Sequence, residues 1–165
     1  MAARATVVRE GMIAGLLGAA GVAVWFLAVD TLGGSPLHTP AVLGRAVLGV
    51  LGRGIEEHSM TFFVLGYTVL HVAAFVGVGI IAAMLFASSR RAPQFTAALA
   101  LFFVVFETAF YFLSLMLSGT EALGTLAWYQ IGAANLLASA LMGTYLLRRH
   151  PEFAGNLAHA LDGSS

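Results

Sequence analysis

The chain reads as an all-α integral membrane bundle of four transmembrane helices, with a short outer-face interfacial helix between spans one and two. Three observations predict this. Of the 165 residues, 59% are hydrophobic and only 10% charged, with a mean hydropathy of +0.90, well outside the balance of a water-soluble domain. The apolar residues are gathered into four runs, about 10–30, 59–88, 94–118 and 122–148, each near the roughly 20 residues that a helix needs to cross hydrocarbon. The arginines fall at the ends of those runs and between them.

Composition also removes whole classes of chemistry. The formal net charge is zero and all eight basic residues are arginines in scattered positions, so there is no basic field to hold nucleic acid. Without cysteine there are no disulfides, thiolate metal sites, iron-sulfur clusters or thiol redox couples.

The first span follows a short arm carrying Arg4 and Arg9, and its uncharged stretch from Gly11 to Val29 would be about 28 Å long as a helix. It is long for a signal peptide and lacks a convincing small-x-small cleavage site before Asp30, so it is read as retained. Gly11, Gly15, Ala19 and Ala23 recur every four residues, a face nearly free of side chains on which a neighbouring helix can pack closely. The connection from Asp30 to Ser59 contains the turn cluster TLGGSP and then Thr39-Pro40, an N-cap followed by proline at the first helical position. A helix over about 40–53 is expected there. Leu43, Ala46, Val47, Val50 and Leu51 form its apolar stripe, against Arg45, Gly49 and Arg53, the pattern of a helix lying in the interface plane.

The second span carries His71 inside GYTVLHVAAFVGVG; Arg90, Arg91 and Pro93 then form a turn. The third is interrupted only by Glu107, the fourth contains Asn135 and stops at Arg148-Arg149-His150-Pro151, and 151–165 is a short tail. With four spans, Arg4, Arg9, Arg90, Arg91, Arg148 and Arg149 fall on one side and Arg45 and Arg53 on the other. This bias predicts that both termini are cytoplasmic.

Counting along the helices, His71 from Ser59 and Glu107 from Ser118 both lie about 16–18 Å below the outer end. Asn135, counted from Glu121, falls about one turn deeper, and Gly18 and Ala19 of the first span leave a gap at this level. A lone polar group costs several kcal/mol in hydrocarbon, so His71 and Glu107 are expected to pair. Tyr67 lies one turn above His71, while Glu107, Tyr111, Ser114 and Ser118 follow a helical stripe toward the outer surface. These residues, His71, Glu107, Asn135, Tyr67, Tyr111 and Ser114, form the candidate intramembrane site.

Its plainest role is to fix the register of the bundle by hydrogen bonds between helices. The functional alternative is a proton-coupled or quinone-type site, in which carboxylate and imidazole pass protons and the tyrosines hold a ring. Haem b lacks a second axial ligand at the depth of His71, and one histidine with one carboxylate is too few for a metal centre. No resident cofactor, metal or catalytic residue is therefore assigned. His38 and His58, near Asp30, Glu56 and Glu57, read as a solvated interface. No H-E-x-x-H, Walker A, dinucleotide fingerprint or G-x-S-x-G occurs.

The runs FLAVDTLGGSPLHTPAVLG, GYTVLHVAAF and NLLASALMGTYLLRRHP resemble those of small bacterial membrane proteins of four spans, a likeness that implies no particular activity. Vitamin K epoxide reductases differ by their paired cysteines, and small multidrug transporters by an essential carboxylate in the first span. The resulting expectation is a non-enzymatic structural or accessory subunit, embedded in the lipid bilayer as a homo-oligomer or within a larger membrane complex, with no nucleic-acid partner.

Overall fold

In the computed structural model, residues 2–51, 58–88 and 128–151 are described, and among them the protein is all-helical. Four helices follow in order: α1 (Ala2–Leu32), α2 (His38–Leu51), α3 (Met60–Ser88) and α4 (Trp128–Arg149). Three of them, α1, α3 and α4, are long and apolar enough to cross a membrane. The expected span at 94–118 and the start of the expected span at 122 lie outside the described residues, as does the tail beyond 151.

The segment expected to be an arm, before residue 10, is helical and continuous with α1. Nothing in ARATVVRE breaks a helix, and an apolar run marks where hydrocarbon ends, not where hydrogen bonding does. At its other end α1 stops in a Schellman motif: Ser35 N–H donates to the Asp30 carbonyl at 2.9 Å and Gly34 N–H to that of Thr31 at 3.1 Å. Gly34 sits at φ +76°, the left-handed conformation that this cap requires and that glycine adopts without a Cβ clash. Leu37 follows at φ +66°, a strained position for a leucine, and its carbonyl accepts from Ala41 N–H at 3.2 Å to start α2.

The cap of α2 differs from expectation. Thr39 does not serve as the acceptor: its hydroxyl donates to Asp30 Oδ1 at 2.7 Å, and its N–H donates to Asp30 Oδ2 at 2.8 Å. The acceptor at the helix start is thus a carboxylate from the end of α1, where the exposed N–H groups and helix dipole favour negative charge. Asp30 and Thr39 are both buried, and their two bonds clasp α1 to α2 across the turn. Within α2, Gly44 and Ala46 are buried while Arg45 and Gly49 are exposed. Gly44 sits against the Phe63 backbone and Gly66 beneath Leu48, so α2 is seated on the first turns of α3. Arg45 lies over the Phe63 ring, 5.2 Å from its centroid.

Helix α3 opens at Ser59, whose side-chain oxygen and carbonyl both take the Phe62 N–H, at 3.4 and 3.0 Å. Helix α4 closes at His150, whose N–H reaches the Leu146 carbonyl at 2.9 Å, and Pro151 has no N–H with which to continue.

The bundle is organised on α1, which packs against both α3 and α4, while α3 and α4 barely touch each other. Both contacts are antiparallel. Gly11 meets Gly79 and Ile80, Gly15 meets Phe75 and Val76, and on the other side Gly18 meets Met142 and Gly21 meets Leu141 and Leu137. The core joins Ala14, Val22 and Phe26 of α1 to Ala83 and Phe86 of α3 and Ala138 and Leu146 of α4. Outward, Val24, Leu65, Val69 and Leu136 are each more than 60% exposed. In water such surfaces would drive aggregation; toward hydrocarbon they are the matching surface.

Candidate functional site

Small residues on α1 make the site. Gly15 and Ala19 let α3 approach until its side chains reach the α1 backbone, and His71 uses that access: its Nε2 lies 3.2 Å from the Ala19 carbonyl oxygen. A carbonyl only accepts, so Nε2 carries the proton and donates, leaving Nδ1 as the accepting atom of the neutral ring. The imidazole is held between two other rings of α3. Tyr67 stacks on it at 5.5 Å between centroids with 27° between planes, and Phe75 packs at 4.7 Å with 48°. These three residues are one helical turn apart.

Beside this ladder, a cavity of about 400 Å³ runs between α1, the start of α2 and α3. His71, Tyr67 and Thr68 line one wall, Ala19, Ala23 and Leu27 another, and Asp30 and Thr39 one end. From the level of Ala19 to that of Asp30 the groove is about 16 Å long. Ala23, expected in the packing face with Gly11, Gly15 and Ala19, is exposed and faces this groove instead. The reason is geometric: a four-residue repeat advances about 40° per step on a helix of 3.6 residues per turn, so Ala23 stands about 120° from Gly11. Val22 and Phe26 continue the buried face in its place.

Asn135 is buried, with no hydrogen-bond partner for its Nδ2 among the described residues. It is not at the level of His71. The register set by Gly18 with Met142 and by Glu10 with His150 brings Asn135 level with Trp25, six residues or about 9 Å nearer the Asp30 end than Ala19. The gap at Gly18 is filled by Met142 and Phe75. Counting Asn135 from Glu121 measured depth from a residue outside the described helix, whereas contacts with α1 fix it directly. Trp25 Nε1 and the Tyr145 hydroxyl are, like Asn135 Nδ2, buried without a hydrogen-bond partner among the described residues.

Glu107, Tyr111 and Ser114 lie outside the described residues, and so does the expected pairing of Glu107 with His71. Two polar contacts between helices escaped sequence reasoning. The Asp30–Thr39 clasp had a signal, an acid closing an apolar run, then a Gly-Gly turn and a Thr-Pro helix start. The second contact had none: His150 Nε2 lies 3.3 Å from Glu10 Oε2, joining the far ends of α1 and α4. The distance suits an ion pair, but the alignment is too poor for a hydrogen bond. Gly79 was likewise unremarked, one of two glycines in VGVG. Among the described residues, no three His, Asp or Glu side chains converge on a common point.

Comparison with protein-family models, curated proteins and solved structures found no match. The class that the fold defines is therefore the coarse one: an all-helical protein whose described part holds three helices long and apolar enough to cross a membrane.

Proposed function

We propose that this protein is a non-enzymatic structural or accessory subunit of a membrane complex. It resides in the bacterial cytoplasmic membrane with both termini in the cytoplasm, spans it four times and sets α2 in the outer interface. The observation that carries this reading is the pair of open glycines on α4. Gly132 and Gly143 have nothing within 4 Å among the described residues, and they stand about 20° apart around the helix at 100° per residue, three turns from each other. Leu136, 67% exposed, projects between them. Helices associate in lipid through close packing of such small-residue faces, and inside this molecule α1 already uses its glycines in that way.

The test is purification in mild detergent from native membranes with mass measurement of the intact particle. A homo-oligomer or a stoichiometric partner is expected, and Gly132→Leu with Gly143→Leu should dissociate it while leaving the helical content of the chain intact. A partnerless monomer from native membranes would sink the proposal.

A second reading has its own support in the groove. A small-molecule site of proton-coupled or quinone type fits a largely apolar cavity with Tyr67 and His71 on its wall. This reading stands on those two residues.

A further inference from the structure

The polar groups around the groove can be sorted by what they already bind. Asp30 and Thr39 satisfy each other through two hydrogen bonds. The Thr68 hydroxyl donates back to the Val64 carbonyl at 2.7 Å, the usual way a threonine is satisfied in an apolar helix. His71 Nε2 is used by Ala19. Two polar groups of residues that line the groove have no hydrogen bond to the described residues: Nδ1 of His71, which accepts, and the hydroxyl of Tyr67, which donates. They belong to stacked rings one turn apart, and the rest of the lining is almost wholly apolar.

We propose that this groove binds a membrane-dissolved amphiphile with a hydrocarbon body and a hydroxyl end, the hydroxyl donating to His71 Nδ1 and accepting from Tyr67. The proposal rests on the small-molecule reading above and narrows it. A hydrocarbon body matches the walls of Leu16, Ala20, Ala23 and Leu27, and the hydroxyl is a group that gives and takes one hydrogen bond at once. A ketone or quinone only accepts, so it keeps the Tyr67 bond and leaves Nδ1 desolvated and unpaired. Of a quinone couple, the groove therefore takes the reduced, hydroxyl-bearing member. A long-chain alcohol presents the same chemistry and is the other source.

The experiment is equilibrium binding of four tritiated probes to the full chain in lipid nanodiscs: 1-hexadecanol, hexadecane, a decyl-hydroquinone and the matching quinone. Saturable binding of hexadecanol or the hydroquinone at one per chain is expected, with the tighter of the two identifying the source. The quinone should bind about tenfold weaker than the hydroquinone, the scale of one lost hydrogen bond, and hexadecane, which loses both, about a hundredfold weaker than hexadecanol. Tyr67→Phe and His71→Phe keep an aromatic ring while removing the polar atom. Each should lower affinity for the hydroxyl probe about tenfold and leave hexadecane unchanged, which also reports that the groove remains intact. Ala23→Phe, placed on the exposed groove wall, should block every probe. Equal binding of hexadecanol and hexadecane, or hydroxyl binding indifferent to both variants, would overturn the hydroxyl assignment alone. Absence of binding by all four probes would overturn it together with the small-molecule reading beneath it.

Discussion

Helix α1 makes two seams that look alike in sequence and differ in kind. Toward α3 the contact is backbone on backbone: a Cβ placed on Gly79 would stand 2.8 Å from the Gly15 Cα, and one on Gly15 2.6 Å from the Val76 Cα. Toward α4 the glycines receive side-chain ends, so a Cβ on Gly18 would meet Met142 Sδ at 2.6 Å and one on Gly21 would meet Leu141 Cδ1 at 2.6 Å. Glycine serves the first seam because nothing else fits. It serves the second because a flexible tip has filled the space, and a tip can move.

The widest separation between the seams should come from adding one methyl group to each. Gly79→Ala forces two helix backbones apart and is expected to lose about 2–3 kcal/mol in a denaturant titration of the purified protein. The same change at Gly18 should cost clearly less, because the gain in helix propensity, about 1 kcal/mol, offsets part of the displacement of the Met142 tip and the Phe75 ring edge. Equal losses at the two positions would mean that the seams do not differ.

A second test sharpens the reason. Met142→Ala should remove the part of the Gly18→Ala cost that Met142 causes, leaving the contact with Phe75 Cδ1 at 2.9 Å, and giving a coupling of about 0.5–1 kcal/mol in a double-mutant cycle. Met142→Ala should leave the loss at Gly79 untouched, since the obstruction there is backbone. A further test lies at the ends. His150→Ala leaves Glu10 without its imidazole partner, in a pair whose side chains are 12% and 14% exposed, and is expected to cost about 1–3 kcal/mol in the same titration.

How much of this was legible follows the same division. The helical ranges were readable because they depend on local composition: the second span, expected at 59–88, is α3 at Met60–Ser88. Gly11 and Gly15 stood out as a close-packing face, and the structure sets both against α3. Ala23 did not follow them, because an exact four-residue repeat drifts around a 3.6-residue helix. The role of Gly79 depends on which helix crosses α1 and in which register, and no pattern within α3 distinguishes it from Gly77, which has nothing within 4 Å among the described residues. Of the candidate site, Tyr67 and His71 were legible as one helical stripe. The acceptor of His71, the Ala19 carbonyl, was not, since a backbone oxygen leaves no mark on a sequence.

By itself, the sequence determined what each stretch is: which runs are apolar enough to cross a membrane, that the first gives way to a turn at TLGGSP, and that cysteine chemistry is absent. Those properties follow from near neighbours, through propensity, hydropathy and the period of the helix. Only the tertiary structure decided what each residue faces. It gave Asp30 to Thr39, His71 to the Ala19 carbonyl, Gly18 to Met142 and Ala23 to an open groove. The physical reason is that apolar helices in hydrocarbon gain little from burying one face over another, so close packing and a few polar bonds choose among rotations that composition leaves nearly equal.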